Sequence, residues 1–181
     1  MTGTDSTTLS AAEFDALFNA FTTEVARLEA LSAYAVGGSE QQRLDAFRGG
    51  HPRPLRSVRT DPWLARIAVS SVIAGKSWTR IRVVDTPMTD YQRYQMASYR
   101  ESQAVGEQVR IALRTAVGDV GPDFWLFDGR MVVLMHYDGD GRVDHRELRN
   151  DRALVDHCRN RLEAVAALAV PLNEFLVTVD E

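Results

Sequence analysis

The most constraining feature of this chain is a pair of apolar segments joined by Asp128 and Gly129. Residues 124–127 and 131–137 are rich in aromatic and aliphatic side chains, a composition that favours strands. An Asp-Gly pair between two such segments is typical of a two-residue type I′ turn, in which both central residues have a positive φ. A second turn at 138–141 leads to another predicted strand. The sequence therefore predicts a sheet that is extended by antiparallel hairpins.

The N-terminal third begins with a helix signal. Ser10 and Glu13 have the spacing of a capping box, in which each side chain accepts a hydrogen bond from a free backbone N–H. Apolar residues then recur every three or four positions up to Leu28, so one long helix is predicted. The preceding residues 1–9, rich in serine and threonine, are predicted to be a disordered tail.

The remaining patterns predict a single α/β domain over residues 10–177. A strand at 78–84, a helix at 90–104 and a strand at 109–113 indicate a crossover between parallel strands. The expected architecture is a mixed sheet of about five strands flanked by helices. The other predicted elements are helices at 39–47, 61–75 and 150–168 (the last capped by Asn150), a strand at 142–148 and a helical turn at 172–176.

Charge and composition exclude several functions. The 21 basic residues against 25 acidic ones give a net charge of −4, whereas general nucleic-acid binding needs a dense basic field. No apolar segment approaches the roughly 18 residues that span a bilayer. The single cysteine, Cys158, cannot form an internal disulfide, which suits a reducing compartment. We therefore expect a cytoplasmic protein that contacts neither nucleic acid nor membrane directly.

Motifs for catalysis are sparse. The chain has no Gly-x-Ser-x-Gly elbow and no glycine-rich nucleotide motif, and Cys158 falls on the apolar face of a predicted helix. No catalytic residue and no cofactor are predicted on this basis. The arginines between Arg53 and Arg82, which include Arg80, could bind an anion or an acidic partner, but a solvated basic surface is the favoured interpretation.

The segment 136–147 has two metal-binding interpretations. Read from His136, it places Asp138, Asp140, Asp144 and Glu147 at ligand positions of an EF-hand loop, with Gly141 at the required glycine. The segment before it is predicted to be a strand, however, and an EF-hand needs a helix there. Alternatively, two histidines facing each other across the hairpin bind a metal together with an aspartate: His136, His145 and Asp144. An acidic hairpin turn is the favoured interpretation, so no metal site is predicted and calcium binding is the third alternative.

Several segments resemble an uncharacterised family of small proteins from high-GC Gram-positive bacteria. They are residues 14–18, 81–84 leading to 89–91, 123–128, 135–138 and 170–176. Members of that family are often encoded beside helix-turn-helix regulators of an antitoxin-like type. The resemblance implies a regulatory protein partner and assigns no chemistry.

A more distant resemblance is to half of a phospholipase D-like domain. That superfamily carries the motif His-x-Lys-x-x-x-x-Asp, with the histidine as nucleophile on phosphorus. If Asp128 is matched to the aspartate of the motif, Asp123 falls at the lysine position and Gly121 at the histidine position. The resemblance therefore implies a phospholipase D-like fold that lacks the family's catalytic pair.

The main functional hypothesis is a non-catalytic module that contacts a helix-turn-helix regulator or senses a small-molecule ligand. The alternative is a hydrolase or phosphodiesterase in which the hairpin residues His136, Asp138 and Asp128 perform acid–base or metal chemistry. A homodimer is a further expectation. The predicted binding residues lie on the hairpin and at the start of the 90–104 helix: Asp90, Tyr91, Trp125, Asp128, His136 and Asp138.

Overall fold

The computed structural model describes residues 6–179, which form one mixed sheet with helices on both faces. Its strands are β1 (Ser6–Thr8), β2 (Glu24–Glu29), β3 (Ser77–Val84), β4 (Glu107–Leu113), β5 (Phe124–Phe127), β6 (Met131–Tyr137), β7 (Val143–Arg149) and β8 (Val170–Pro171). Its helices are α1 (Ala11–Ala20), α2 (Gly38–Arg48), α3 (Pro62–Ala68), α4 (Asp90–Gln103), α5 (Arg114–Val117), α6 (Arg152–Ala167) and α7 (Leu172–Val179). A π-helical turn, Val69–Ile73, follows α3.

The strand order in the sheet is β1-β7-β6-β5-β2-β3-β4-β8. Strands β2, β3 and β4 are parallel, and β3 and β4 are joined through α4, which confirms the predicted parallel crossover. Strands β5, β6 and β7 continue the sheet as antiparallel hairpins. In the β5–β6 turn, Asp128 has φ 50° and Gly129 φ 59°, as a type I′ turn requires. The register pairs Phe127 with Met131, so the loop has three residues rather than the predicted two.

The described residues form eight strands rather than about five, and β2 is the most consequential addition. The predicted long helix ends at Ala20, and residues 24–29 are a central strand between β5 and β3. Val25 and Leu28 lie three residues apart and face opposite sides of the sheet, where both are buried. The same spacing fits one face of a helix, so periodicity alone does not distinguish a strand that is buried on both faces.

Part of the predicted disordered tail is also ordered. Ser6–Thr8 pairs with Arg149–Glu147 as an antiparallel edge strand, and Leu9 packs in the core. Backbone pairing of an edge strand with a distant partner leaves no signal in local composition. The first five residues of the predicted tail, 1–5, lie outside the residues that the structure describes.

The helix caps follow the sequence closely. The Ser10–Glu13 capping box begins α1, and the side chain of Asp61 accepts hydrogen bonds from the backbone at the start of α3. The cap of α6 is Asp151 rather than Asn150, because the Asp151 carboxylate reaches the Leu154 N–H at 3.0 Å.

Helices cover the two faces of the sheet differently. Helix α6 packs on one face, where Cys158 is fully buried among apolar residues of β2, β3 and β5. Helices α1, α3 and α4 cover the opposite face, which carries both an aromatic core and a group of buried charges. Among the described helices, none combines the length and the apolar character needed to cross a bilayer.

Candidate functional site

Charged side chains line the sheet beneath α4. Along β2 and β3, Arg27, Glu29, Arg80 and Arg82 occupy alternate positions and so point to the same face. Their exposed fractions are only 3%, 8%, 7% and 0%. The interpretation of Arg80 and Arg82 as part of a solvated basic surface is therefore wrong, because strand alternation turns them toward the face that α4 covers.

These side chains form a continuous ion-pair network. The Glu29 carboxylate lies 2.9 Å from Arg80 Nη1 and accepts a 2.7 Å hydrogen bond from the Tyr99 hydroxyl. Arg80 Nε also donates to Glu107 at 2.8 Å. Arg27 Nη2 donates to Asp123 at 3.2 Å and to the Tyr137 hydroxyl at 2.9 Å. Each carboxylate in the network thus has a cationic partner.

A cavity of about 600 Å³ opens over this network, between the sheet and helices α1, α2 and α4. Arg27 lines it from the sheet and Arg43 from α2. Within residues 6–179, Arg27 Nη1 and Arg43 Nε are buried nitrogen atoms with no hydrogen-bond partner. Buried polar groups are nearly always paired, so unpaired guanidinium nitrogens beside a cavity indicate a ligand with acceptor atoms.

Two glutamates at the cavity have opposite pKa shifts. Burial opposes ionisation of Glu29, but the charges of Arg80, Arg27 and Arg82 outweigh it and hold its pKa below the usual range. Burial raises the pKa of Glu40, and the Glu29 charge raises it further against the opposing effect of Arg43. Paired carboxyl groups whose environments push their pKa values apart are a signature of acid–base sites.

The tyrosines at this cavity remain proton donors. Burial and the charge of Glu29 raise the pKa of Tyr99 well above its usual value, and the same two causes act on Tyr34. The Tyr34 hydroxyl donates a short hydrogen bond to Asp123. Asp123 also accepts from the Ala30 N–H at 2.8 Å, so this carboxylate fixes Tyr34, which lines the cavity, against the end of β2.

Two of the predicted binding residues line the cavity. Trp125 lies under the guanidinium groups of Arg27 and Arg80, whose central carbons are 5.1 and 5.4 Å from its ring centre. The Tyr91 hydroxyl is 3.5 Å from a carboxylate oxygen of Glu40. The structure thus brings Trp125 and Tyr91 to the same site, from the sheet and from α4.

The other four predicted residues lie elsewhere. Asp90 is at the exposed start of α4, where it pairs with Arg93. Asp138 accepts hydrogen bonds from the Asp140 and Arg142 backbones in the β6–β7 turn. His136 contacts Glu147 on the opposite face of the sheet from Trp125. The hairpin residues His136, Asp138 and Asp128 therefore do not converge in one pocket.

Asp128 stabilises the start of β2. Its two carboxylate oxygens accept from the backbone N–H groups and hydroxyls of Thr22 and Thr23, and from the Glu24 N–H, at 2.7–3.1 Å. These bonds lower the pKa of Asp128 against the effect of its partial burial.

His136 lies far from Asp128. It is five residues along β6 from Met131, which pairs with the end of β5, so about 16 Å of strand separates His136 from the turn that contains Asp128.

Substituting Asp128→Asn should lower the free energy of unfolding by about 2 kcal/mol. The amide would keep one acceptor oxygen but turn its NH₂ group toward donors at Thr22 or Thr23. The depressed pKa contributes stability that is present above about pH 4 and lost as the pH falls through the folded value. Urea unfolding of both proteins should show a difference that shrinks below pH 4. Asp140→Asn, in the exposed β6–β7 turn, is the control, and an equal loss there would contradict the assignment.

Sequence reasoning missed most of the site. Arg27, Glu40 and Arg43 lie in segments predicted as helix, and Glu29 directly follows one; charged residues in a helix indicate a solvated surface. The alternation of arginines with apolar residues in β3 does indicate the site. Charged residues at every second position of a central strand all point to one face of the sheet, and both faces of such a strand are covered by the protein.

The fold is phospholipase D-like. NucT from Helicobacter pylori matches with a TM-score of 0.51 and 11% identity, over 92% of this chain and 97% of that one. Nuc from Salmonella typhimurium, a phospholipase D family member, matches with a TM-score of 0.49 and 9% identity, over 92% and 98%. No curated protein matches in sequence.

Residues 12–177 match the model of a domain of unknown function, DUF6879, and the chain belongs to that family. The structural match contradicts the main hypothesis of a non-catalytic regulatory module and agrees better with the hydrolase alternative. A protein partner and a homodimer stay predictions.

Proposed function

We propose that this protein is a hydrolase of phosphate esters that binds its substrate in the cavity over Arg27 and Arg43. The phospholipase D-like fold supports the reaction class. The observation that carries the proposal is the pair of buried, unpartnered guanidinium nitrogens at this cavity. Guanidinium groups bind phosphate oxygens through charge-assisted hydrogen bonds, and they stabilise the charge that develops during phosphoryl transfer.

The site differs from the phospholipase D motif in its nucleophile. If Asp128 is matched to the aspartate of the motif, Gly121 and Asp123 stand at its histidine and lysine positions, and a covalent phosphohistidine cannot form there. Asp123 is held by Ala30, Tyr34 and Arg27 as a structural carboxylate. In the proposed reaction, water attacks phosphorus directly and the ester oxygen leaves.

Glu40 is the acid–base residue of the proposed reaction. Its carboxylate takes a proton from the attacking water and returns it to the departing ester oxygen. Its raised pKa makes Glu40 a better proton acceptor than Glu29, which stays ionised and orients Arg80. The residues of the hairpin alternative, His136, Asp138 and Asp128, have no part in this reaction because they lie outside the cavity.

The test is hydrolysis of bis(p-nitrophenyl) phosphate, with p-nitrophenyl phosphate in parallel, by the full chain. Glu40→Gln should lower kcat at least 100-fold, since proton transfer typically contributes factors of 10² to 10⁴. Arg43→Gln should raise KM for the ester, because it removes a phosphate contact. Both side chains are only partly buried, so both variants are expected to fold.

Two exposed residues on α6, across the sheet, provide matched controls. Glu163→Gln and Arg152→Gln make the same chemical changes and should leave kcat and KM unchanged. Absence of turnover in the wild-type protein with both esters, or turnover that survives Glu40→Gln, would contradict the proposal.

A further inference from the structure

A second group of chemically active side chains lies on the β6–β7 hairpin, outside the proposed hydrolase cavity. His136 and His145 are directly paired across the two strands. Their rings are parallel within 6°, with centres 4.0 Å apart. Glu147 is two residues beyond His145, so strand alternation places it on the same face. The three side chains together present two imidazoles and one carboxylate.

We propose that His136, His145 and Glu147 bind a divalent transition-metal ion such as Zn²⁺. One ligand atom from each side chain lies within 4.8 Å of the other two. Glu147 Oε2 is already 3.1 Å from His136 Nε2. Ligand atoms around tetrahedral zinc lie about 3.3 Å apart, given zinc–nitrogen distances of about 2.0–2.1 Å. Binding requires the two stacked, partly exposed imidazole rings to tilt toward each other, because each ring nitrogen binds an ion in the plane of its own ring.

The groups around these ligands orient them for a metal. Asp144 contacts Nδ1 of His145 at 2.7 Å, which leaves Nε2 of that ring to bind the ion. Ser6 of β1 and Arg149 both donate to Oε1 of Glu147, at 2.7 and 3.1 Å, which leaves Oε2 directed at His136. Such carboxylate–histidine contacts and hydrogen-bonded ligand carboxylates are the usual surroundings of protein metal sites.

The donor set selects the class of metal. Imidazole nitrogens favour zinc, nickel and cobalt, whereas calcium takes six to eight oxygen ligands. The EF-hand interpretation of residues 136–147 is wrong, because the segment is a β-hairpin in which Glu147 lies within a strand. Asp140, one of its expected calcium ligands, instead pairs with Arg142. Three protein ligands leave one coordination position of zinc for water or another small ligand.

The site is independent of the proposed hydrolase cavity. His136 and Trp125 lie on opposite faces of the sheet, and none of the three ligands lines the cavity over Arg27. His136 instead lines a separate cavity of about 440 Å³ together with Arg114 and Asp119. Metal binding at the hairpin is therefore a property that hydrolysis at Glu40 neither requires nor excludes.

Isothermal titration of the metal-free full chain with ZnCl₂ tests the site. The wild-type protein should bind one ion, and the variant His136→Asn with His145→Asn should bind at least 100-fold more weakly. Asp144→Asn should weaken binding 10- to 100-fold, since it removes the group that orients His145. CaCl₂ should give no binding heat. Circular dichroism establishes that each variant retains the fold.

The other two histidines supply the control. His51 and His157 are exposed and lie away from the hairpin, so His51→Asn with His157→Asn should bind zinc as the wild type does. Equal loss of binding in this control would assign the ion to surface histidines in general. That result, absence of wild-type binding, or unchanged affinity in Asp144→Asn would each overturn the proposed site.

Discussion

Replacing Arg80 with methionine is expected to lower the free energy of unfolding by about 3–5 kcal/mol, the cost of removing one partner of a buried ion pair. Arg80 contacts Glu29 at 2.9 Å and Glu107 at 2.8 Å, and the side chain of Glu107 is 1% exposed. Methionine fills similar space without supplying a charge. The loss of stability would therefore come from buried carboxylates that no longer have Arg80 as a cationic partner, rather than from an empty space in the core. Urea unfolding monitored by tryptophan fluorescence measures the effect.

The pH dependence distinguishes this cause from a packing defect. In the wild type, the depressed pKa of Glu29 contributes stability that is present above the unfolded value, near 4.5, and lost as the pH falls. In Arg80→Met, a carboxyl group without its partner is better tolerated when protonated, so the deficit should be smaller at pH 5 than at pH 8. A deficit equal at both values would contradict the electrostatic explanation.

A surface pair provides the matched control for Arg80. Arg93 pairs with Asp90 on α4, with side chains 49% and 62% exposed. Exposed ion pairs contribute about 0–1 kcal/mol, so Arg93→Met should change the free energy of unfolding by less than 1 kcal/mol. The contrast between two chemically identical substitutions isolates the effect of burial.

The substitution Phe18→Ala is expected to cost about 3–5 kcal/mol. Phe18, on α1, is 3% exposed, and its ring centre lies 4.8 Å from Trp125 and 5.2 Å from Phe127. Trp63 and Trp78 lie within 5.8 Å on other sides. The truncation removes a ring at the centre of an aromatic cluster whose rigid neighbours cannot collapse into the space.

Thermal and urea unfolding measure this loss, with Leu55→Ala as the control. Leu55 is 81% exposed in the loop before α3, so its truncation should have an effect within about 0.5 kcal/mol. A loss of less than 1 kcal/mol for Phe18→Ala would show that α1 does not anchor this face of the sheet.

The site could be predicted only in part, and the residues show why. The sequence indicates Trp125 and Tyr91 as binding residues because aromatic side chains stand out in a hairpin strand and at a helix start. Glu40 and Arg43 gave no such signal, since charged residues on a short helix ordinarily face solvent. The raised pKa of Glu40 and the unpaired Nε of Arg43 arise because α2 packs beside the cavity.

The sequence by itself determined the features that depend on neighbouring residues. Local backbone chemistry specified the Asp128–Gly129 turn and the helix caps at Ser10 and Asp61. The local pattern also specified the order of strand β3, helix α4 and strand β4. Only the tertiary structure decided that residues 24–29 are a strand, since a segment buried on both faces carries no periodicity that separates it from a helix. That strand places Arg27 and Glu29 beside Arg80 and Asp123. The charges then remain buried because each carboxylate meets a guanidinium from a distant part of the chain.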